Sequence, residues 1–171
     1  MLTTDQKGAI AETAVVHEAV KLGIGVLKPV NDGLRYDLVL DVDEVLVRVQ
    51  VKWAPREADV VLIRAYSCRR TRDGLLRRPY TPEEIDAYAA YCPELEQCYF
   101  LPIADFVGQK YVQLRLAPTR NNQKRGIVWA RDYEFTARMR RLGAVAQLGE
   151  RVAGSHEVRG SIPLGSIDSA L

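Results

Sequence analysis

The segments Tyr36-Asp37-Leu38-Val39-Leu40 and Val49-Gln50-Val51-Lys52-Trp53 decide how this chain folds. In both segments apolar residues alternate with others, and a period of two is typical of β-strands. The acidic stretch Asp41-Val42-Asp43-Glu44 favours a turn, so the two segments are predicted to pair as an antiparallel hairpin. On the second strand the pattern separates two sets of side chains: Arg48, Gln50 and Lys52 on one face, and Val47, Val49, Val51 and Trp53 on the other.

Such a hairpin brings Asp37 close to Gln50 and Lys52. An acid, an amide carbonyl and an ammonium group on one sheet face are costly to bury for stability alone. The same groups suit the binding of Mg²⁺ and a phosphate. Two structural alternatives stay open: Asp37 as a solvent-facing residue at a strand end, and Lys52 as an edge-strand charge that prevents aggregation.

A helix precedes the hairpin, with Thr4-Asp5 as its expected cap and Gly23 as its expected end. Glu12 falls within the apolar stripe of this helix, one turn after Gly8. A carboxylate on the face turned toward the sheet is unexpected, because Glu is rarely buried without a partner. Glu12 is therefore a candidate site residue; the alternative is a side chain that reaches water from the rim of the stripe.

The pattern Gly8-x-x-x-Glu12, Tyr36-Asp37 and Gln50-x-Lys52 resembles the PD-(D/E)XK nuclease superfamily. It is most similar to the branch associated with group I introns, whose homing endonucleases carry Gln where most members carry an acid. The resemblance runs from about Gly8 to about Tyr133. It implies an α/β fold with a restriction-endonuclease-like core, in which helices flank a central mixed β-sheet, followed by a C-terminal extension. The chain departs from the superfamily pattern at two positions: no Pro precedes Asp37, and Gln50 replaces an acid. A neutral ligand at that position should weaken the binding of a second Mg²⁺.

The resemblance also implies an activity: Mg²⁺-dependent, site-specific hydrolysis of DNA phosphodiester bonds, of the intron-homing or mobile-element kind. Mn²⁺ is expected to replace Mg²⁺. The implied metal ligands are Glu12, Asp37 and Gln50, and Lys52 completes the catalytic set. A junction-resolving or repair nuclease, and an inactive DNA-binding module derived from a nuclease, remain alternatives. Whether Asp41 or Asp86 assists the site also stays open.

The arginines indicate where DNA would bind. The net charge of +2 and the pI of about 8.4 do not by themselves indicate a nucleic-acid partner. However, clustered Arg side chains bind phosphates, and like charges in a cluster repel one another without a partner. A solvated charged loop is the alternative. The predicted DNA contacts lie in two basic runs: Arg69, Arg70, Arg72, Arg77 and Arg78, and then Arg120, Lys124 and Arg125.

The remaining composition sets bounds on location and assembly. Three cysteines at irregular spacing fit neither a disulfide framework nor a zinc site. No stretch resembles a signal peptide or a membrane span. We therefore expect a cytoplasmic protein with reduced thiols. A chain this small needs two active sites to cut both DNA strands. A symmetric homodimer or homotetramer is therefore expected.

Further elements are predicted along the chain. Thr81-Pro82-Glu83-Glu84 favours a helix start, and that helix should continue to Tyr91. Strands are predicted over 25–29, over 60–65 as a continuation of the same sheet, over 98–102 and over 112–116.

The chain divides into a nuclease domain, residues 1–140, and a tail, residues 141–171, that is predicted to be disordered or loosely packed. Codons permitted by Val145–Arg151 resemble a tRNA D-arm, and those permitted by Gly160–Pro163 resemble a T-arm. Between them, Val152–Glu157 permits an anticodon hairpin with the alanine anticodon GGC. Our interpretation is that the reading frame runs through a tRNA gene. The alternative is a Gly/Ser/Val-rich tail without genomic meaning.

Overall fold

A five-stranded mixed sheet forms the centre of the molecule. The computed structural model describes residues 1–154 except Asp32, Asp73 and residues 119–124; for residues 145–154 it describes the backbone alone. In chain order the elements are α1 (Thr4–Lys21), β1 (Gly25–Leu27), β2 (Leu38–Val42), β3 (Val45–Trp53), β4 (Arg56–Glu57), β5 (Val60–Arg64), β6 (Tyr66–Thr71), β7 (Gly74–Pro79), β8 (Ala87–Cys92), β9 (Gln97–Pro102), β10 (Tyr111–Arg115) and α2 (Phe135–Gly154), with short 3₁₀ helices at Ile103–Phe106 and Ala130–Tyr133.

The central sheet has the strand order β1-β2-β3-β8-β9. The β3 and β8 strands run parallel, and the other neighbours are antiparallel. Both helices pack on one face, where Ala11 and Val15 of α1 and Phe135 of α2 join the apolar side chains of β2 and β3. A smaller sheet, β10-β5-β4, covers the other face. This arrangement confirms the expected α/β class with a central mixed sheet.

The first helix begins and ends close to the predicted positions. Thr3, rather than Thr4-Asp5, is the N-cap, and it forms a reciprocal capping box with Gln6. The helix ends before Gly23, whose φ of +76° is a left-handed conformation that suits glycine. The last turn therefore directs the chain into β1 at the edge of the sheet.

The predicted hairpin is formed by β2 and β3, with Leu38 opposite Val49. Its turn is shorter than expected, because Val42 and Val45 already pair as strand residues. Asp43 and Glu44 alone make the turn, with φ angles of 48° and 68°. Positive φ at both positions is typical of the type I′ turn, whose twist matches that of the flanking strands.

The predicted helix from Thr81 to Tyr91 is wrong. Thr81 starts only a turn, in which its carbonyl accepts hydrogen bonds from the backbone nitrogens of Glu84 and Ile85 at 3.0 and 3.1 Å. The chain then enters β8, which lies between β3 and β9. Nearly all of its side chains are buried, so an apolar run without a period of two marks a central strand here.

The strand over 60–65 forms as β5, but it does not continue the central sheet. It pairs with β4 and β10 in the second sheet instead. The change of sheet lets Val61 and Ile63 face the central sheet and fill the core between the two. The strands predicted over 25–29, 98–102 and 112–116 correspond to β1, β9 and β10.

The C-terminal helix α2 continues past residue 140, the boundary expected between domain and tail. Met139 is 2% exposed, and Leu142 packs against the core beneath α1. Residues 155–171, the rest of the expected tail, lie outside the described residues. Neither helix in the described part of the chain has the length and hydropathy needed to cross a membrane.

Candidate active site

The β3 strand places its polar side chains as the sequence pattern predicts. Val49 and Val51 face the helices and join the core beneath them. Gln50 and Lys52 point to the opposite face, where Gln50 is 8% exposed. Tyr88 of β8 is the register partner of Gln50 on that face. A buried polar pair is therefore held by a central strand with neighbours on both sides.

Asp37 lies directly before β2 and is bound to β3. Its backbone nitrogen donates to the carbonyl of Val49 at 2.9 Å. Its carboxylate oxygen Oδ2 accepts hydrogen bonds from the backbone nitrogen of Val51, at 2.8 Å, and from the amide nitrogen of Gln50. The structure therefore brings Asp37 and Gln50 into direct contact, as expected from the predicted hairpin.

Burial raises the pKa of the Asp37 carboxyl above its ordinary value. The Val51 N–H bond and the nearby Lys52 ammonium act in the opposite direction, and the negative charge of Glu12 adds to the rise. The charged form of Asp37 is thus stabilised less here than in water. A bound cation would compensate for this deficit, because it favours the ionised carboxylate.

The side chains predicted as metal ligands carry the oxygen atoms that a hard divalent cation prefers. Asp37 and Glu12 have carboxylates, and Gln50 has an amide carbonyl oxygen. Within the described residues, no three His, Cys, Asp or Glu side chains are grouped for metal binding. The predicted set holds only two carboxylates and an amide. In the structure the nitrogen of the Gln50 amide faces Asp37, so the amide would have to rotate for its oxygen to join Asp37 on a cation.

Glu12 lies on α1, at the rim of a groove of about 500 Å³ that Gly8, Lys28 and Leu38 also line. Its Oε2 atom accepts a hydrogen bond from Lys28 Nζ at 2.7 Å. A side chain added at Gly8 would meet nothing within 4 Å, so the helix surface beside Glu12 is open. Glu12 is close enough to act on Asp37 electrostatically, but its direct contact is Lys28 and not Asp37 or Gln50.

Lys52 is largely buried, and burial lowers its pKa to about 8. The Asp37 carboxylate opposes this change, whereas the positive charge of Arg35 adds to it. The ammonium donates to the Tyr80 hydroxyl at 3.1 Å and to the Tyr66 carbonyl at 3.4 Å. No local sequence pattern indicates Tyr80 as a neighbour of Lys52. Tyr80 precedes a segment with helix-start signals, and it reaches the site only through the parallel pairing of β3 with β8.

The two additional acids lie apart from this cluster. Asp86 accepts hydrogen bonds from the backbone nitrogen, Nη2 and Nε of Arg48 at 2.7, 2.8 and 3.1 Å. The bond with Arg48 holds the pKa of its carboxyl below the ordinary value. Asp41 is exposed on β2 opposite Gly25 and lines a groove beside α2. The contacts of Asp86 are those of a structural ion pair.

The first basic run forms the ribbon of β6 and β7, a two-stranded sheet that is exposed along most of both strands. We call this element the arginine ribbon, residues 66–79. Arg69 pairs with Leu76 and Arg70 with Leu75, so these two arginines point to opposite faces. Because Tyr66 also offers its carbonyl to Lys52, the ribbon starts at the candidate site.

The other predicted DNA contacts differ in their surroundings. The Arg77 guanidinium lies over the ring of Tyr66, with 5.4 Å to the centroid, and Arg78 binds the Glu84 carboxylate. Arg72 is exposed in the turn of the ribbon. Arg125 is also exposed, whereas Arg120 and Lys124 lie outside the described residues.

Comparison with known proteins identifies the family and agrees with the fold. The family model of the PD-(D/E)XK endonucleases matches residues 2–136, which include Glu12, Asp37, Gln50 and Lys52. The solved structure of a bacterial homing endonuclease, I-Ssp6803I, is 31% identical in sequence and has a TM-score of 0.68, over 88% of this chain and 97% of that one. A search of curated proteins gives no match. The family match and the similarity in fold and sequence agree, and the chain belongs to the PD-(D/E)XK endonuclease family.

Proposed function

We propose that this chain is a metal-dependent, site-specific DNA endonuclease that hydrolyses phosphodiester bonds. The observation that carries the proposal is the contact between Asp37 and Gln50 on β3, with the buried Lys52 ammonium beside them. Carboxylate and amide oxygens can bind a cation, and the ammonium can stabilise the charge that develops on phosphate. The nuclease class follows from the family, and the specific reaction is our proposal.

The residues that would hold the cation are Glu12, Asp37 and Gln50. Mg²⁺ is the proposed ion, and Mn²⁺ should replace it because both accept oxygen ligands. A bound divalent ion would polarise the phosphate and favour hydroxide over water. Lys52 would orient the attacking water or stabilise the phosphate oxygens. With one carboxylate replaced by Gln50, the site favours one ion over two.

The arginine ribbon is the proposed main DNA contact. A two-stranded β-ribbon fits the major groove of duplex DNA, where arginine also recognises guanine edges. Arg69, Arg70, Arg72 and Arg77 would bind phosphates or bases directly, and Arg78 would do so after exchanging Glu84 for phosphate. Arg120, Lys124 and Arg125 are proposed as a second contact along the backbone.

The biological role we propose is intron homing or the spread of a mobile element. The similarity to a bacterial homing endonuclease supports it, as does a tail whose permitted codons resemble a tRNA gene. Cutting both strands calls for two active sites, so a symmetric homodimer or homotetramer is expected. A cytoplasmic location fits Cys68, Cys92 and Cys98, which form no disulfide.

The test uses the purified full chain and a plasmid library with randomised inserts. With Mg²⁺ or Mn²⁺ the protein should linearise a subset of the plasmids, and sequencing of the cut ends should give one preferred site. The same reactions with EDTA, and with the Asp37→Ala variant, should leave the library intact. Preference for a four-way junction over every linear duplex would instead identify a junction-resolving nuclease, and binding without any cleavage would identify an inactive DNA-binding module.

A further inference from the structure

The Lys52 ammonium is held by contacts that come from outside the family motif. A lysine side chain has about four rotatable bonds, so a defined position of its charge requires partners. The Tyr80 hydroxyl at 3.1 Å is the nearer acceptor, and the Tyr66 carbonyl at 3.4 Å is the other. The face of the Tyr80 ring also lies near the ammonium, at 4.7 Å from its centroid. Two of the three ammonium protons are thereby engaged, which leaves a donor for a phosphate oxygen or a water.

Tyr80 is itself fixed in place. It is 5% exposed, and the Tyr88 ring contacts it edge to face at 5.7 Å. The Arg35 guanidinium lies 4.0 Å from the centroid of its ring. An aromatic ring held on several sides has little freedom to rotate, so its hydroxyl offers a fixed acceptor.

Arg35 connects this ring to the arginine ribbon. Its three nitrogens donate to Glu84 Oε2 at 3.1 Å, to Ser67 Oγ at 2.7 Å and to the carbonyl of Pro79 at 3.0 Å. Ser67 and Pro79 belong to the two strands of the ribbon, so one guanidinium fixes both strands and Tyr80 together.

We propose that Tyr80 is a positioning residue for the reaction, and that it acts by holding the Lys52 ammonium at the scissile phosphate through its hydroxyl and its ring. Arg35 stabilises this arrangement and ties it to the arginine ribbon. The inference rests on the proposed function. It adds a residue to the catalytic apparatus that no motif position supplies.

Tyr88 provides a matched control. It is a tyrosine of the same buried cluster, and its hydroxyl donates to the carbonyl of Ala65 at 3.4 Å without a contact to Lys52. Tyr80→Phe and Tyr88→Phe therefore remove the same atom from the same core. Chemical denaturation of both variants verifies that each is folded, and a ring of unchanged size should preserve the packing.

The experiment measures single-turnover cleavage of the preferred DNA site in Mg²⁺ as a function of enzyme concentration. Tyr80→Phe should lower the maximal rate constant about tenfold, the scale of one lost hydrogen bond to a charged group. The enzyme concentration at half-maximal rate should not change, because the buried Tyr80 offers almost no surface to DNA. Tyr88→Phe should change neither value.

A second comparison tests whether Tyr80 acts through Lys52. In the Lys52→Met background, the further change Tyr80→Phe should have no effect on the residual rate. A full tenfold loss in that background, or wild-type cleavage by Tyr80→Phe, would overturn the inference while the nuclease assignment stands. If the wild-type chain cut no DNA with either metal, the proposed function would fail, and this inference with it.

Discussion

Asp37 Oδ2 lies 2.8 Å from the backbone nitrogen of Val51, and this hydrogen bond joins the start of β2 to the middle of β3. The same oxygen accepts a hydrogen bond from the Gln50 amide, so Asp37 is held by the strand that carries Gln50 and Lys52. Yet burial still raises the pKa of this carboxyl. A carboxylate with fixed geometry and incomplete charge compensation is well suited to a cation.

Asp37→Ala should abolish cleavage and leave DNA binding largely intact. The substitution removes a proposed metal ligand, whereas the arginine ribbon, which should dominate affinity, is untouched. Cleavage assays in Mg²⁺ and filter binding in Ca²⁺ measure the two properties separately. Asp41→Ala changes an exposed acid on β2; this variant serves as the control and should cleave normally. Retained cleavage in Asp37→Ala would remove Asp37 from the site.

Lys52→Met should lower the cleavage rate at least ~10²-fold, the scale of one preorganised electrostatic contact. Methionine keeps much of the length and apolar character of the side chain but has no charge. Rapid-quench or manual time courses at saturating DNA give the rate. Lys110→Met, at an exposed position, should have no effect. A loss of only a few-fold would reduce Lys52 to a structural role on β3.

The local patterns of the sequence correctly predicted the hairpin and its two faces. Alternation in β2 and β3 depends only on residues near one another in the chain. The cap of α1 is also local, although Thr3 forms it and not the expected Thr4-Asp5. The Asp37–Gln50 contact follows from the hairpin register, which is also local. These features required no knowledge of the remaining chain.

The missed features depend on distant pairing. Thr81-Pro82-Glu83-Glu84 carries helix-start signals, and Glu84 does accept the Thr81 N–H at 3.3 Å. However, Glu84 also binds Arg35 and Arg78, and the next residues are buried between β3 and β9. Tertiary pairing thus overrides the local preference. The contact of Tyr80 with Lys52 depends on the same chain path, which no local periodicity encodes.

Replacing Arg69, Arg70 and Arg72 together by Gln should weaken DNA binding and flatten its salt dependence, by roughly one unit of slope per lost phosphate contact. All three side chains are exposed on the arginine ribbon or its turn. Binding is measured over a series of KCl concentrations. The control replaces the exposed Arg131, Arg140 and Arg141, which changes the net charge equally at a distance from the ribbon. Equal slopes for the two triple variants would place the DNA surface elsewhere.

Asp86→Asn should destabilise the protein at neutral pH by about 1 kcal/mol, since the exposed ion pair with Arg48 contributes modestly and one bond is to backbone. The pKa of this carboxyl is lowered in the folded state, so its contribution is present above the ordinary value of 3.8 and is lost as pH falls below it. The difference in unfolding free energy between wild type and variant should therefore shrink as pH decreases through this range. Urea titrations at several pH values measure this difference, with Asp41→Asn as the control. A difference in unfolding free energy that stays constant with pH would show that the ion pair with Arg48 does not lower the pKa of Asp86.

Two shortened chains test how much of α2 the nuclease domain needs. Met139 is almost fully buried and Leu142 packs on the core, whereas the family match already ends at residue 136. A chain that ends at Ala144 keeps both contacts, and it should fold, bind DNA and cleave like the full chain. A chain that ends at Arg138 lacks both and should lose at least ~2 kcal/mol, the lower range for removal of a buried Met or Leu side chain. Urea unfolding and cleavage assays on the full chain and the two shortened chains measure these differences.

A loss of more than about 2 kcal/mol of unfolding free energy in the chain that ends at Ala144 would exceed the usual effect of surface changes. It would mean that residues 145–171 pack on the core, and that a segment whose permitted codons resemble a tRNA gene has become part of the folded domain.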